Sequence, residues 1–376
     1  MRATRAIIHL DNLIHNINVL REHLHSGGSD IAICLPVKAD AYGHGALEIA
    51  QTALENGVTF LAIATVDEGV ELRDAGINAP ILLLSQCTPS ETQYAADNNL
   101  IPLVSDKEAA KLFSQAAQKS FCKDGKVDVF LKIDTGMGRM GCAPENAAEL
   151  AEYIISLGNV NLAGTITHFA VSDSTEDAGI AYTNLQLEKF TGALNAIQEA
   201  GISTGIVTAA NTGATIANKR TWFDMVRPGI LLYGYPPDGL EPQIPVKPVM
   251  ELVTQIVFLK KIKEGESVSY GRTWTAEKDT VVGIIPVGYA DGLPRALSNN
   301  FRVFIKDNLF PLAGRICMDQ CMVDLGNAAS VQRWDEVSIF GGEGSFTAAD
   351  IARQNGTISY EITCNINKRV RRIYTS

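Results

Sequence analysis

The sequence has no run of apolar residues approaching the roughly 18 needed to cross a bilayer. Basic residues are also in short supply, since 32 Lys+Arg stand against 42 Asp+Glu and the formal net charge is −10. This balance opposes the phosphate-neutralising surface of a general nucleic-acid binder. The one basic cluster, KRVRR at residues 368–372, is predicted to be a solvated helix face rather than an anion-binding patch. We therefore expect a soluble protein that binds neither membrane nor nucleic acid.

The cysteines lack the spacing of a disulfide framework or a metal site. Their number is odd and none forms a CxxC pair; the positions are Cys34, Cys87, Cys122, Cys142, Cys317, Cys321 and Cys364. The first residues, MRATRAIIHLDN, hold only a short apolar stretch, so no signal peptide is predicted. Unpaired cysteines without a secretion signal predict a reducing, cytoplasmic location and no bound metal.

What the sequence does contain is a repeated alternation of strand-like and helix-like segments. Eight short apolar, β-rich runs begin at residues 31, 60, 81, 100, 127, 162, 205 and 229. Helix-like stretches separate them, and several, such as GHGALEIAQTALENG, end in glycine as helices often do. Eight such units predict an α/β fold with an N-terminal (β/α)8 TIM-type barrel over residues 1–240. An open doubly wound sheet is the alternative.

The composition changes after the barrel. Five of the 14 prolines fall in the stretch YPPDGLEPQIPVKPV and are Pro236, Pro237, Pro242, Pro245 and Pro248. Such a stretch cannot form a helix or a central strand, so it is predicted to link two domains. Beyond it, strand-like runs alternate with Gly, Asn and Asp turns and lack long helical spacers. Residues 241–376 are therefore predicted to form a mainly β C-terminal domain.

The motif CLPVKADAYGHG at residues 34–45 places Lys38 at the end of the first predicted barrel strand. Active sites of such barrels lie at the carboxyl ends of the strands. A partly desolvated lysine there is a candidate for a Schiff base with pyridoxal phosphate or with a carbonyl substrate. A lysine in a surface ion pair explains the same position, and spacing alone does not separate the two interpretations.

The segment LKIDTGMGRMG at residues 131–141 matches GxGxxG after a strand. A dinucleotide-binding motif is expected in the first βαβ unit, whereas this one follows the fifth strand and contains Arg139. We instead expect Arg139 to hold an anionic oxygen at the barrel mouth. Lys132 shares a strand face with Phe130 and Asp134, and that face is predicted to point into the barrel. A salt bridge from Lys132 to Asp134 is the alternative.

Polar residues also end the later strands. They are His168 in THFA, Asn211 and Thr212 in TAANTGA, and Arg227 in VRPGILLYG. Backbone N–H groups and a hydroxyl after the seventh and eighth strands are a common phosphate site in barrels. Beyond the linker, Gly-flanked loops carry polar aromatic and charged residues typical of a site rim: Tyr270, Tyr289, Arg295, Arg315, Met318, Asp319 and Tyr360.

Taken together, the segments resemble the alanine racemase family of fold-type III pyridoxal-phosphate enzymes. The motifs VKADAYGHG, DTGMGRMG, THFA, VRPGILLYG, SYGR, GYADG and GRICMDQ occur in the family's order over essentially the whole chain. The resemblance implies a barrel followed by a β domain, with pyridoxal 5'-phosphate as cofactor. It also implies a head-to-tail homodimer in which each active site borrows loops from the partner's second domain.

Racemisation requires an acid/base group on each face of a planar intermediate. The resemblance implies that Lys38 binds the cofactor and is the base for the D-enantiomer. Tyr270 of the partner subunit is implied as the base for the L-enantiomer, with His168 and Arg227 in the polar network behind it. An arginine facing the pyridine nitrogen cannot give up its proton, so it is expected to disfavour a long-lived carbanion and to suppress transamination.

The remaining roles also come from the resemblance. The implied cofactor-binding residues, including the phosphate cradle, are Lys38, Tyr42, His168, Asn211, Thr212, Arg227, Gly229, Ile230 and Tyr360. Arg139 and the amide of Met318 are implied to bind the substrate carboxylate, and Lys132 matches a position that is carbamylated in many members. Tyr289, Arg295, Arg315 and Asp319 resemble an access corridor. Thr208 departs from the family pattern, since many relatives have a histidine there that supports the arginine.

The resemblance therefore implies racemisation of a small amino acid, alanine, with supply of D-alanine for peptidoglycan as the purpose. A serine or broad-specificity racemase is the alternative, because a pocket that does not bond the extra hydroxyl discriminates weakly. Related decarboxylases are disfavoured, since no carboxylate-lined pocket is evident. A non-catalytic pyridoxal-phosphate carrier is disfavoured too, because such proteins lack the domain that supplies Tyr270.

Overall fold

A computed structural model describes residues 2–25, 30–120, 125–240, 243–327 and 330–376. Cys122 and Pro242, which entered the cysteine and linker arguments, lie outside these residues. The chain divides into two compact units. The barrel unit comprises Leu13–Ala41 and Ala46–Val246, and the strand-rich unit comprises Met1–Asn12, Tyr42–Gly45 and Lys247–Ser376.

Strands and helices alternate in the first two thirds of the chain and strands dominate the last third. The strands are β1 (Arg5–His9), β2 (Ala32–Pro36), β3 (Phe60–Ile63), β4 (Ile81–Leu83), β5 (Leu100–Val104), β6 (Val127–Lys132), β7 (Val160–Ile166), β8 (Ile206–Thr208), β9 (Met225–Val226), β10 (Met250–Gln255), β11 (Phe258–Ile262), β12 (Ser267–Val268), β13 (Trp274–Thr275), β14 (Thr280–Ile285), β15 (Arg302–Ile305), β16 (Asn308–Pro311), β17 (Cys321–Gly326), β18 (Glu336–Phe340) and β19 (Arg371–Thr375). The helices are α1 (Leu10–His25), α2 (Lys38–Gly43), α3 (Ala46–Glu55), α4 (Val66–Asp74), α5 (Pro89–Asp97), α6 (Lys107–Ala117), α7 (Ala147–Ser156), α8 (Asp177–Glu199), α9 (Thr212–Ala217), α10 (Gly229–Leu232), α11 (Ala348–Asn355) and α12 (Ser359–Cys364).

The barrel unit is a closed barrel of parallel strands, β2 to β9, in chain order. β9 closes it by pairing in parallel with β2, with Met225 opposite Ala32. Apolar side chains from successive strands fill the interior: Cys34, Ala62, Leu82, Ile101, Leu103, Phe130, Ile166 and Met225. Such layers make the interior of an eight-stranded barrel a packed core rather than a pore. The predicted TIM-type barrel is confirmed, and the alternative of an open sheet is wrong.

The predicted eighth strand is wrong. The run GILLYG was expected to be a strand, but Gly229–Leu232 is the helix α10 and the eighth barrel strand is β9, just before it. A short apolar run buried on all sides has the same pattern in a helix and in a strand. β9 has only two residues, and its pairing with β2 and β8 makes it a strand. Its local sequence carries too little signal to predict that.

The strand-rich unit contains a six-stranded sheet, a three-stranded sheet and a two-stranded ribbon. The order in the largest sheet is β16-β15-β18-β10-β1-β19. β1 lies between β10, to which it is antiparallel, and β19, to which it is parallel. The N-terminal strand β1 therefore pairs directly with the C-terminal strand β19. The three-stranded sheet has the order β11-β14-β17, and the ribbon pairs β12 with β13. The predicted mainly β C-terminal region is confirmed.

The basic cluster at residues 368–372 is not a helix face, because its last two residues begin β19. Arg369 donates to Asp291 at 2.7 Å and to Asp319 at 2.8 Å. The guanidinium of Arg372 donates to the carbonyls of four residues, Gly43, Ile366, Asn367 and Val370. These two arginines therefore bind the chain itself. In the described part of the chain, no helix combines the length and the apolar character that a membrane span requires.

Candidate active site

Lys38 begins α2 two residues after β2 ends, at the carboxyl end of the barrel. The next four residues, 39–42, have φ between 52° and 55°, so this short helix is left-handed. A left-handed turn costs about 1–2 kcal/mol for each L-residue, because Cβ crowds the following carbonyl oxygen. The Ala41 N–H donates to the Val37 carbonyl at 2.7 Å and closes the turn. The residue types did not predict this conformation, because none of the four residues is glycine.

Positive groups surround His168 in the barrel unit. Burial lowers the pKa of its imidazole well below the usual value, and the positive charges of Arg227, Lys132, Arg139 and Lys38 lower it further. His168 is therefore neutral at physiological pH. The four cationic residues lie at or after the carboxyl ends of three strands, β2, β6 and β9. An anion entering this mouth would be attracted by all of them.

Arg227 follows β9 directly and is buried in the barrel. One guanidinium nitrogen donates to the carbonyls of Thr167, at 2.8 Å, and Ala209, at 3.1 Å, and lies 3.4 Å from His168 Nδ1. The other donates to the hydroxyl of Thr208, which itself donates to the Met225 carbonyl at 2.7 Å. Thr208 thus supports Arg227. Burial lowers the pKa of Arg227 to about 10, which still leaves it charged at neutral pH.

Lys132 is the last residue of β6 and is buried, as the strand-face prediction required. Burial lowers the pKa of its ammonium to about 7; the nearby charges of Arg227 and Arg139 lower it too, and Asp134 opposes them. A substantial fraction of this lysine is therefore a neutral, nucleophilic amine near neutral pH. The carboxylate of Asp134 accepts from the backbone N–H groups of Gly136 and Gly138 instead of closing a salt bridge.

The loop after β6 presents Arg139 to solvent. Two backbone hydrogen bonds join the start and the end of this loop. The Asp134 N–H donates to the Cys142 carbonyl and the Cys142 N–H donates to the Lys132 carbonyl, both at 2.9 Å. Gly141, with φ of 136°, brings the returning chain so close that a Cβ would lie 2.5 Å from the Asp134 nitrogen. The exposed guanidinium of Arg139 makes no hydrogen bond or ion pair with any described residue. It is therefore available to an anion.

The strand end after β8 is built around a buried hydroxyl. Thr212 is the first residue of α9, and its Oγ1 has no hydrogen-bond partner among the described residues. Asn211 precedes it and caps the helix by accepting from the Ala214 N–H at 3.2 Å. At Gly213 a Cβ would lie 2.7 Å from the Asp173 nitrogen, so only glycine allows this close approach. An orphaned buried hydroxyl is costly unless a ligand bonds it.

Gly229 and Ile230 lie in α10, buried in the barrel unit. The Gly229 N–H is already used, because it donates to the Arg227 carbonyl at 3.0 Å. These two residues therefore stand directly beyond Arg227, whose backbone fixes where α10 begins. The barrel unit thus brings Lys38, Lys132, His168 and Arg227 into one electrostatic group, and it places Asn211, Thr212, Gly229 and Ile230 at neighbouring strand ends.

The other predicted site residues belong to the strand-rich unit. Tyr42 and Tyr360 pack their rings together with centroids 5.3 Å apart. Tyr270 and Met318 are 72% and 52% exposed, which is unusual for large apolar side chains. The remaining four predicted corridor residues occupy loops: Tyr289 and Arg295 lie in short 3₁₀ helices, while Arg315 and Asp319 lie in the loop before β17. Asp319 is paired with Arg369.

The backbone around Tyr270 is held in an uncommon conformation. The preceding Ser269 has φ of 69° and the following Gly271 has φ of 73°. The Ser269 hydroxyl donates to the Arg315 carbonyl at 2.6 Å and ties the two loops together. Sequence reasoning missed Ser269, and it also missed Glu68, which accepts a hydrogen bond from the Ala39 N–H. No local pattern indicates either contact, because the partners are far apart in the chain.

The barrel residues fit a phosphorylated, carbonyl-bearing cofactor. A lysine at the mouth can condense with an aldehyde, a buried hydroxyl without a partner can bond a phosphate, and a buried arginine can face a ring nitrogen. The chemistry of this donor set and the orphaned Thr212 hydroxyl both match pyridoxal phosphate. In the described ranges, no cluster of His, Cys, Asp and Glu has the arrangement of a metal site.

The family comparison matches both parts of the chain. The family described as Alanine racemase, N-terminal domain, matches residues 8–237, and Alanine racemase, C-terminal domain, matches residues 249–374. The alanine racemase of Treponema denticola is 50% identical over 100% of this chain and 98% of its own length. That of Treponema pallidum is 43% identical over the full length of both.

Solved structures agree. An alanine racemase of Clostridium difficile superposes with a TM-score of 0.92 at 37% identity, covering 100% of this chain and 96% of that one. An alanine racemase of Bacillus anthracis, solved with bound L-Ala-P, gives a TM-score of 0.90 at 31% identity and covers 100% of this chain and 96% of that one. The predicted family and fold are confirmed. This chain belongs to the alanine racemase family and is a racemase, an isomerase.

Proposed function

We propose that this protein is a pyridoxal-phosphate-dependent alanine racemase that interconverts L-alanine and D-alanine. The observation that carries the proposal is the group formed by Lys38, Lys132, Arg139 and Arg227 around the neutral His168 at the barrel mouth. Alanine as the substrate is supported by the names of the relatives and by the L-Ala-P bound to the Bacillus anthracis neighbour.

The residues that would hold the cofactor are those with matching chemistry. Lys38 would bind its aldehyde, and the Thr212 hydroxyl would bond its phosphate. Asn211, Gly229 and Ile230 flank that position, and Tyr42 and Tyr360 complete the proposed set with His168 and Arg227. When bound, pyridoxal phosphate withdraws electrons from the substrate's α-carbon and so acidifies its proton.

Two bases then serve the two faces of the substrate. Lys38 Nζ is proposed to remove or return the α-proton of D-alanine, and the hydroxyl of Tyr270 of the partner subunit that of L-alanine. A tyrosine has an ordinary pKa near 10, so its phenolate needs stabilisation by cations to act near neutral pH. The exposed position of Tyr270 on a single chain supports a role toward a second chain.

Arg227 is proposed to face the pyridine nitrogen and to leave it unprotonated, because a guanidinium holding four hydrogen-bonded contacts keeps its proton. With the cofactor bound, an unprotonated ring nitrogen would withdraw less charge from the substrate, and Arg227 would so favour racemisation over transamination. An Arg227→Glu variant should convert more alanine to pyruvate per racemisation event. An unchanged ratio would remove this role.

Lys132 is proposed to be carbamylated, since a neutral amine reacts with CO2 and the added carboxylate would orient Arg139. Arg139 and the amide of Met318 of the partner subunit would then bind the substrate carboxylate. Native intact-mass measurement should show the added CO2, and its absence at every bicarbonate concentration would exclude the modification. Tyr289, Arg295, Arg315 and Asp319 are proposed to line the access corridor.

The biological setting is part of the same proposal: a cytoplasmic homodimer with composite active sites, acting on a small amino acid and supplying D-alanine for peptidoglycan. The division of the chain at residues 240 and 241 stays a prediction. The strong likeness to proteins named alanine racemase supports this setting, and no observation on the described residues favours the serine alternative.

The test is to incubate the purified protein with L-alanine and to follow optical rotation, with L-serine as the comparison. We expect the optical rotation of the L-alanine solution to fall to zero and that of the L-serine solution to change far more slowly. A Lys38→Ala variant should lose both the activity and the visible absorbance of lysine-bound cofactor. A cofactor-bound wild-type protein that leaves L-alanine unchanged would overturn the proposal.

A further inference from the structure

The left-handed conformation of residues 39–42 must be stabilised by surrounding contacts. Four consecutive L-residues with positive φ cost several kcal/mol together, at about 1–2 kcal/mol each. Strain of this kind persists only where the surroundings hold it. Because the segment starts immediately after Lys38, whatever holds it also sets the direction in which the Lys38 side chain leaves the backbone.

Glu68 supplies the contact at the start of the segment. Its Oε1 accepts from the Ala39 N–H at 2.7 Å, and its Oε2 accepts from the N–H groups of Ala64 and Thr65 at 2.8 and 3.1 Å. The Ala39 N–H belongs to the peptide group whose carbonyl is that of Lys38. The carboxylate therefore fixes the rotation of the peptide plane next to the lysine and ties the strand end after β2 to the one after β3.

Helix capping alone does not explain this arrangement. Glu68 forms a capping box with Thr65 at the start of α4, and Glu91 forms the same box with Thr88 at the start of α5. In α5 the Glu91 carboxylate bonds its own cap residue, accepting from the Thr88 N–H and hydroxyl at 2.8 and 2.7 Å. In α4 the second oxygen of Glu68 reaches 29 positions back to Ala39. The two helices therefore share a glutamate that accepts from the N–H of the cap residue, and the contact to the Ala39 N–H belongs to Glu68.

Asp40, the second residue of the segment, makes a separate contact, because its carboxylate accepts from the Ala46 N–H at 2.8 Å. Asp40 closes the chain onto α3 and does not bond the peptide next to the lysine. Glu68, by contrast, bonds the peptide group of Lys38 itself, through the Ala39 N–H.

We propose that Glu68 is the positioning residue for Lys38, acting through the Ala39 N–H. This inference rests on the proposed function, in which Lys38 Nζ moves the α-proton. Glutamine has only one accepting oxygen in its amide, so Glu68→Gln loses either the bond to Ala39 or the bonds to the α4 cap. Misplacing a catalytic atom by about 1 Å costs on the order of 100-fold in rate.

The experiment compares three holoenzyme variants. Glu68→Gln changes the carboxylate that bonds the Ala39 N–H. Thr65→Ala removes the 3.3 Å bond from the Glu68 N–H to the Thr65 hydroxyl and leaves the carboxylate in place. Glu91→Gln makes the same substitution at a helix start where one oxygen accepts both cap bonds, which a glutamine oxygen can keep. For each we would measure kcat and KM for L-alanine, borohydride trapping of the cofactor on Lys38, and hydrogen exchange of the Ala39 amide.

We expect Glu68→Gln to lower kcat by about 10- to 100-fold with little change in KM, because the substrate contacts remain while the base is displaced. Trapping on Lys38 should slow and the Ala39 amide should exchange faster. Thr65→Ala should lose some stability, and both Thr65→Ala and Glu91→Gln should stay close to wild type in all three measurements.

The inference is overturned if Glu68→Gln matches Thr65→Ala in kcat and in Ala39 exchange. Should Glu68→Gln fail to fold, the wild-type holoenzyme decides, because an Ala39 amide that exchanges like an unbonded one excludes the Glu68 contact. A wild-type protein in which no cofactor is trapped on Lys38 would instead contradict the proposed function, while the exchange measurement still reports on the Glu68 contact.

Discussion

At the scale of single residues, burial determines how Lys132 titrates. Its folded-state pKa of about 7 lies below the ordinary 10.5, so between these values the unfolded chain binds a proton that the native chain does not. The free energy of unfolding should therefore rise with pH across this window for the unmodified lysine, and the full penalty for burying its charge applies below about pH 7.

A Lys132→Met variant should lose that dependence. Urea unfolding at pH 7 and pH 9 in CO2-free buffer measures it, and the exposed lysine Lys189 provides the control substitution, Lys189→Met. We expect the difference between the two pH values to shrink in Lys132→Met and to persist in Lys189→Met. Equal pH dependence in both variants would mean that Lys132 is not desolvated.

Thr208 tests a second buried contact at the same scale. Thr208→Val removes the hydroxyl that accepts from Arg227 and leaves a buried guanidinium donor unpaired. A lost hydrogen bond to a charged group costs about 1.5–3 kcal/mol, which urea unfolding detects. Thr208→Ser keeps the hydroxyl and should unfold close to wild type. A Thr208→Val protein as stable as Thr208→Ser would show that the contact contributes nothing.

At the scale of elements, the loop after β6 depends on one glycine more than on its neighbour. Gly141→Ala would place Cβ 2.5 Å from the Asp134 nitrogen and 2.9 Å from the Ile133 carbonyl carbon, both backbone atoms that cannot rotate away. At Gly138, with φ of 68°, an added Cβ meets nothing within 4 Å.

We therefore expect Gly138→Ala to cost about 1 kcal/mol through its positive φ alone. Gly141→Ala should cost clearly more, because the backbone bonds between Asp134 and Cys142 must shift, and it should also raise KM by displacing Arg139. Thermal unfolding and steady-state kinetics measure both effects. Equal stability of the two variants would contradict the close approach of Gly141 to the Asp134 backbone.

Also at this scale, most elements of the barrel followed from local pattern. Runs of β-rich residues and glycine-terminated helical segments predicted seven of the eight strands, because strands β2 to β8 lie in such runs. The eighth was misplaced, since β9 has two residues and is defined by its neighbours. Strand ends also indicated Lys38, Lys132, His168 and Arg227 as candidate site residues, and the charges of the other three lower the pKa of His168.

At the scale of the whole molecule, the proposed composite site makes a prediction about mixed dimers. Lys38→Ala and Tyr270→Phe proteins should each be nearly inactive. Random reassortment into a symmetric dimer makes half the molecules heterodimers, each with one intact site, so about one quarter of wild-type activity should return.

The measurement is racemase activity after the two inactive proteins are mildly dissociated, mixed and reassembled. Wild-type chains treated in the same way give the reference. If mixing restores no activity, Tyr270 does not act on the partner's site. Activity in unmixed Tyr270→Phe above a few percent of wild type would show that another group serves the second face.

Local pattern and ordered motifs were enough to determine the barrel, the β-rich C-terminal region and the family, since strand ends and glycine turns are encoded by nearby residues. Only the tertiary structure decided the left-handed turn after Lys38, the support of Arg227 by Thr208 and the lowered pKa of Lys132. These depend on groups far away in the chain: a carboxylate 29 positions from Ala39, a hydroxyl 19 positions from Arg227, and the packed interior that removes water from Lys132.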